Sequence, residues 1–246
     1  MKARALLLLL AACGGAQAEG QWQAALSSTR DQLSNGGSDW TEHSLSLRRV
    51  NGRHLNAGLE LSQTERFGLR DQRVAADGSL QVLPELSFTG EAAYSSSHHV
   101  LARDMLGGGL LWEAAHGWLL QAAVRTSGYA NVRVNQFTLG AERYTGDFSH
   151  ALLLRSAHAY GSAAHSAEWR SNWYYSDTDA VSLSLAAGQE ASQLGSRVLL
   201  TSSRTLAVTG HHSLDAHWTL QYGLARTRQP DLYNRTSISL GLRTAF

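Results

Sequence analysis

Trp118-Leu119-Leu120-Gln121-Ala122-Ala123-Val124-Arg125-Thr126-Ser127 is the stretch that decides how this chain folds. Its even positions Trp118, Leu120, Ala122 and Val124 are apolar, while Gln121, Arg125 and Ser127 fall between them. A helix would scatter such a set around its circumference. A strand gathers it on one face, because successive side chains point to opposite sides. The same period of two returns in Leu55, Ala57, Leu59 and Leu61 against Asn56, Gly58, Glu60 and Ser62. It returns in Val181, Leu183, Leu185 and Ala187, and in Trp218, Leu220, Tyr222 and Leu224. The chain is all-β.

Turn signals punctuate these runs. Short ones are Asn51-Gly52, Leu83-Pro84-Glu85, Ala115-His116-Gly117, Thr145-Gly146-Asp147, Asp177-Thr178-Asp179 and Ser213-Leu214-Asp215. Longer polar ones lie at 34–39, 96–100, 160–165, 191–197 and 229–233. Between them the pattern predicts fourteen strands: 22–32, 40–50, 53–64, 67–79, 86–96, 102–114, 117–128, 132–144, 148–158, 165–176, 180–190, 198–211, 217–228 and 233–246. The segments near 67–79 and 148–158 alternate poorly, and without them the count is twelve.

The first residues read as an export address. Lys2 and Arg4 precede an apolar run from Ala5, and Ala16-Gln17-Ala18 fits a small-x-small cleavage site. That run is far shorter than the roughly 20 residues of a spanning helix. The expected division is a signal peptide over 1–18 and one barrel over 19–246. Losing Lys2 and Arg4 leaves 19 cations against 20 anions, a net charge of −1, which gives no electrostatic reason for nucleic acid as a partner. Cys13 is the only cysteine, so neither a disulfide framework nor a thiolate metal site is expected. Leu10-Ala11-Ala12-Cys13 also resembles a lipobox, which leaves lipidation of Cys13 as the alternative to cleavage after Ala18.

A sheet that enters a bilayer has to close on itself, since lipid offers no partner to an edge. Aromatics cluster near the expected strand ends: Trp22, Trp40, Trp112, Trp118, Tyr144, Trp169, Trp173, Tyr175, Trp218 and Phe246. Barrels carry such rings as girdles at the membrane–water boundary. The chain closes on Phe246 behind Ile238, Leu240 and Leu242, which reads as a terminal assembly signal for the barrel-assembly machinery. A soluble sandwich would also alternate. The export address together with Phe246 favours a single antiparallel transmembrane β-barrel in a bacterial outer membrane, with outer-membrane lipid around it.

Thr64-Glu65-Arg66-Phe67-Gly68-Leu69-Arg70-Asp71, Leu139-Gly140-Ala141-Glu142-Arg143-Tyr144, Leu183 to Glu190, and Asp231-Leu232-Tyr233 with Leu240-Gly241-Leu242-Arg243 add a family likeness. In order and spacing the chain resembles the YaiO-like outer-membrane β-barrel family, from about Trp22 to Phe246. The resemblance implies an outer-membrane barrel without an established catalytic set. Some relatives stand beside, or are fused to, tetratricopeptide segments and envelope polysaccharide machinery. No tetratricopeptide region is read in this sequence, so a link to polysaccharide export is a weaker implication.

If the apolar faces meet lipid, parity turns Glu60, Glu91, Glu113, Glu142, Arg125, Arg170 and Arg243 inward. An arginine at mid-depth in lipid would cost about 2–4 kcal/mol, so an interior face is where such charges belong. They are the expected lumen lining, either of a narrow polar channel or of a closed interior braced by salt bridges. A scaffolding barrel and an outer-membrane lipid hydrolase are the alternative classes. For the hydrolase, His98, His99, His211, His212 and His217 are the candidate bases. Adjacent histidines on a strand point to opposite faces, and no nucleophile motif, phosphate loop or metal spacing accompanies them. Neither cofactor nor metal is expected.

Overall fold

The structure is a computed structural model. It describes residues 20–52, 54–194, 197–230 and 232–246, with the backbone path alone over 190–194 and 197–200. The expected signal peptide and Cys13 lie outside the described residues. Fourteen strands follow one another: β1 (Gln21–Leu33), β2 (Trp40–Asn51), β3 (Leu55–Arg66), β4 (Leu69–Leu83), β5 (Leu86–Ser95), β6 (Asp104–Ala115) and β7 (Trp118–Gly128). They continue as β8 (Arg133–Thr145), β9 (Phe148–Ala159), β10 (Ser162–Tyr174), β11 (Ala180–Leu194), β12 (Arg197–Ser213), β13 (Trp218–Gln229) and β14 (Tyr233–Ala245). Each pairs antiparallel with its sequence neighbours, and β1 pairs with β14 to close the barrel. Among the described residues no helix is long and apolar enough to cross a membrane; the strands make the crossing.

Closure decides the rest. The β1–β14 seam runs in register from Gln23↔Ala245 to Leu33↔Arg235, and at its end Trp22 and Phe246 exchange both backbone hydrogen bonds at 2.9 Å. No edge of the sheet is left with a row of open donors. Alternation then sorts the side chains. Leu59, Leu61, Leu106, Val124, Leu139, Leu154, Leu206, Leu224, Ile238 and Leu240 stand exposed on the outer face, where lipid covers them. The strands are mostly 11–15 residues long, ample for a tilted crossing.

The weakly alternating segments are strands after all, and the count is fourteen. β9 blurs the pattern because Ala151 and Leu153 are buried on its inner face, where polar residues were expected. In β4 the outer face carries small residues at Ala76 and Gly78, which weaken the apolar stripe. Two loops shrink. Phe67-Gly68 and Tyr160-Gly161 form two-residue hairpin turns with φ positive at both positions, 56° and 73° in the first, 53° and 75° in the second. β4 therefore starts at Leu69 rather than 67, and β10 starts at Ser162 inside the expected 160–165 loop. Ser162 and Ala164 there are inner-face strand positions. Likewise β11 reaches Leu194 and β12 resumes at Arg197, so most of the expected 191–197 loop is strand.

The two rims differ. The turn rim carries 52, 54, 84–85, 116–117, 146–147, 175–179 and 214–217; the loop rim carries the longer 34–39 and 96–103 beside the two-residue turns at 67–68 and 160–161. Aromatic rings gather on the outer face at the turn rim. Phe148 stacks with His150 and Trp173, Trp173 meets Tyr175, and Tyr175 stacks with His212. Arg49 lies over Trp22 and Arg143 over Trp118. Tyr144 departs from the expected girdle by standing on the inner face beside Glu142, and so does Trp40. Trp40 is buried on the inner face at the loop rim, edge-on to Phe67 and Tyr233 and flanked by the guanidiniums of Arg66 and Arg235.

Asp179 ties the 175–179 turn to the end of β12: its carboxylate accepts the Ser213 backbone N–H at 2.7 Å, with His212 Nδ1 at 3.5 Å. The Ser213 N–H is the main cause that holds this carboxyl down at about 2, against 3.8 for an ordinary aspartate. A depressed carboxyl stabilises the fold above the unfolded-state value and stops doing so as pH falls through the folded one. Asp179→Asn is therefore expected to destabilise the barrel at pH 7. The gap from wild type should close between about pH 4 and pH 2, measured as thermal midpoints in detergent. Deleting Phe246 removes both hydrogen bonds to Trp22, and should lower the fraction of heat-modifiable, assembled barrel on unboiled gels.

Candidate functional site: the charged inner face

The face opposite the exposed aliphatic rows is the inner one, and it carries charge on most strands. The densest part is one transverse row. Arg48 on β2, Gly58 on β3 and Asp77 on β4 are register partners, and Asp77 is in turn the partner of Glu91 on β5. Glu91 continues to Gly107 on β6 and Arg125 on β7. Arg48 Nη2 donates to both Asp77 oxygens at 2.7 Å. Arg125 donates Nε to Glu91 Oε1 at 2.6 Å and Nη2 to Oε2 at 2.9 Å, the bidentate fork that fits a carboxylate best.

Each pair reaches over an intervening strand, and glycine is what lets it. A Cβ on Gly58 would lie 2.8 Å from Arg48 Nη2 and 2.9 Å from Asp77 Oδ1. A Cβ on Gly107 would lie 2.8 Å from Glu91 Cγ and would overlap its carboxylate. The adjacent carboxylates of Asp77 and Glu91 would repel if left alone. Each instead has its own arginine two strands away. The row borders a lumenal cavity of 350 Å³ that also touches Ser79 and Thr89.

The other expected lining residues are distributed around the same face. Glu60 receives Arg73 Nη2 at 3.2 Å. Arg155 pairs with Glu168 at 2.8 Å, a pair that parity alone did not single out. Glu142 shares a row with Ala151 and Arg170, and it interacts with the Tyr144 hydroxyl, as does Tyr174. Below these, Asn172 Nδ2 donates to Ser149 Oγ at 2.8 Å. Arg243 only brushes Thr219 Oγ1, at 3.5 Å. Glu113 stands near the turn rim with an interaction of its own. So the structure brings Glu91 together with Arg125; it gives Glu60 an arginine that the sequence reading missed, and leaves Arg170 and Arg243 without a carboxylate among the described residues.

Several buried polar atoms on this face have no protein partner: Ser62 Oγ, Arg73 Nε, Ser95 Oγ, Arg170 Nε, Ser182 Oγ and Arg235 Nε. Asp71 is the opposite case. Its fully buried carboxylate accepts the backbone N–H groups of His99, Val100 and Leu101 at 3.0, 2.7 and 2.9 Å, and contacts His99 Nδ1 at 2.9 Å. It thereby pins the 96–103 loop to the barrel mouth. A lone aspartate early in a strand gives no sequence signal for that clamp.

Of the five candidate bases, His98 Nδ1 is buried without a protein partner and His211 lies on the inner face near Arg243. His99 faces Asp71, His212 Nδ1 lies 3.0 Å from Tyr175 Oη, and His217 Nδ1 donates to the Ala245 carbonyl at 3.1 Å. These partners are a carboxylate, a phenol and a carbonyl; none is a nucleophile serine. Among the described residues no cluster of three or more histidine, cysteine or acidic side chains gathers to hold a metal.

A closed, lipid-faced barrel of this kind has counterparts. The family model described as the YaiO membrane beta barrel domain matches residues 21–193. The chain belongs to the YaiO membrane β-barrel family. The match ends in β11, short of the Phe246 to which the sequence resemblance extended, while the barrel itself runs on through β14. Comparison with curated proteins gives no match. Among solved structures, a bacterial polysaccharide outer membrane secretin shares the fold at 8% identity and a TM-score of 0.64, over 93% of this chain and 99% of that one. The CymD monoaromatic hydrocarbon channel follows at 10% identity and 0.62, over 94% and 89%. The COG4313 outer membrane channel from Pseudomonas putida F1 does so at 13% and 0.59, over 94% and 97%. At such identities the likeness speaks for the fold alone.

The glycine bridges can be tested against a built-in control. Gly90 lies on the outer face of β5, and a Cβ there would meet nothing within 4 Å. Gly107→Ala should cost about 1–3 kcal/mol through overpacking and loss of the Glu91–Arg125 fork. Gly90→Ala should stay within about 0.5 kcal/mol of wild type. Urea unfolding in lipid vesicles reads both.

Proposed function

We propose that this YaiO-family barrel is a narrow, polar-lined channel of the bacterial outer membrane. In this reading residues 1–18 are a cleaved export signal, the turn rim faces the periplasm and the loop rim the outside. The observation that carries it is the inner face. It holds ionised side chains from many strands, and buried polar atoms that no protein group satisfies. Buried polar groups are paired almost without exception, so water is the partner such atoms require. A wet interior crossed by balanced charges passes small polar solutes more readily than apolar ones. The partners of His99, His212 and His217 are a carboxylate, a phenol and a carbonyl, which favours a channel over a hydrolase. The link to envelope polysaccharide machinery rests on the family likeness, and the interior offers carboxylates and guanidiniums that suit a hydroxyl-rich solute.

Planar-bilayer recording tests this reading. Wild-type barrel should give discrete conductance steps. Glu91→Gln together with Glu142→Gln removes two negative charges from the inner face and strips Arg125 of its partner, so the reversal potential in a salt gradient should shift toward anions. Replacing His98 should leave selectivity unchanged. A barrel that assembles fully and never conducts would mean that the interior is a brace and the protein a scaffold.

A further inference from the structure

The outer face of β12 and β13 carries a feature that a channel does not need. Near the loop rim it presents Arg204, Arg226 and Arg228, all exposed. Arg204 stands directly opposite Arg228, and Arg226 is the register partner of Leu206 one outer-face step away. Like charges placed so close on one face of a sheet repel each other. Other outer-face arginines are engaged: Arg30 by Asp39, Arg133 by Asp104, Arg49 and Arg143 over tryptophans. No described carboxylate pairs with these three. The neighbouring outer-face positions are Ala187 and Gln189 on β11 and Asn234 and Thr236 on β14, so no described anion flanks them.

Beside the arginines opens a groove of 710 Å³ walled by Leu152, Trp169, Leu185 and Leu206. One row nearer the turn rim the surface is apolar again, with Leu224 opposite Ile238. The patch is therefore amphipathic along the membrane normal: a hydrocarbon-compatible trough capped by three guanidiniums that no described carboxylate neutralises. Arginine in the hydrocarbon core is penalised by several kcal/mol, and the penalty fades at the interface, which fixes the depth of this cap at the headgroup level.

We propose that this surface docks a bis-phosphorylated glycolipid of the leaflet at the loop rim, with an acyl chain in the groove and its phosphates on Arg204, Arg226 and Arg228. Guanidinium forks bind phosphate oxygens bidentately, and three cations over two adjacent strands match two phosphates on one headgroup. A zwitterionic phospholipid brings its own amine and would leave the arginine cluster largely uncompensated. The inference rests on the outer-membrane placement proposed above but not on conduction, and lipid binding in detergent is measured independently of either.

Native mass spectrometry of the detergent-purified barrel provides the test, with bis-phosphorylated lipid A, its monophosphoryl form and phosphatidylethanolamine each titrated in. Wild type should retain the bis-phosphorylated lipid best and phosphatidylethanolamine least. Arg204→Gln/Arg226→Gln/Arg228→Gln should weaken bis-phosphorylated lipid retention by about tenfold, the scale of lost charge-assisted contacts. Arg49→Gln/Arg143→Gln, at the other rim, should retain it as wild type does. If the triple variant does not fold, Arg228→Gln alone should still show a graded loss. Equal retention by the arginine variants and wild type, or equal retention of phosphatidylethanolamine, would overturn the proposal.

Discussion

Lipid gives a peptide group nothing to bond with, and every feature of this molecule follows from that. A chain that enters the bilayer as strands has to satisfy the last strand with the first, and β14 does so against β1 along nearly its whole length. Once the sheet is closed, alternation is no longer a local preference. It becomes a partition between two solvents, hydrocarbon outside and an interior inside. A one-residue slip in any strand would exchange Leu59 and Leu61 for Glu60 and Ser62 on the lipid face, so the register is enforced by transfer energy all the way round.

The interior meets a different demand. Fourteen strands leave a wall wide enough to be charged, and closely spaced charges have to be arranged so that they do not expel one another. The wall does this with glycine. At Gly58 and Gly107 the missing side chain clears a path for an arginine to reach a carboxylate two strands away. In strands these glycines forfeit some stability through backbone entropy. They return it by letting Asp77 and Glu91 stand side by side without open repulsion. Exposed pairs of this kind contribute about 1 kcal/mol or less apiece, so their weight lies in placing charge rather than in holding the barrel together.

Much of the fold could be read from residues in order. Trp118 to Ser127 and its counterparts carry the period of two because one face is greasy and the other is not. What the pattern could not convey was position along the strand. Ser162 and Ala164 look like loop because small and polar residues mark a lumen as well as a turn, and only the positive φ at Tyr160 and Gly161 separates the two. Trp40 looks like girdle because an aromatic at a strand end suits either face; its burial between Arg66 and Arg235 depends on partners that are distant in sequence. The inner-face charges follow from parity strand by strand. Who pairs with whom does not, since Glu60 with Arg73 and Glu91 with Arg125 require the register of neighbouring strands.

The row from Arg48 to Arg125 reads plus, glycine, minus, minus, glycine, plus. Such an arrangement has mirror order: its charge sums to zero, and so does its dipole. Its leading moment is a quadrupole, whose field dies away over a few ångströms. An ion approaching the barrel mouth therefore feels little pull from this row, while a solute already beside it meets strong, alternating donors and acceptors. The wall is electrically quiet from afar and richly textured at contact, a surface built to examine what touches it rather than to summon it.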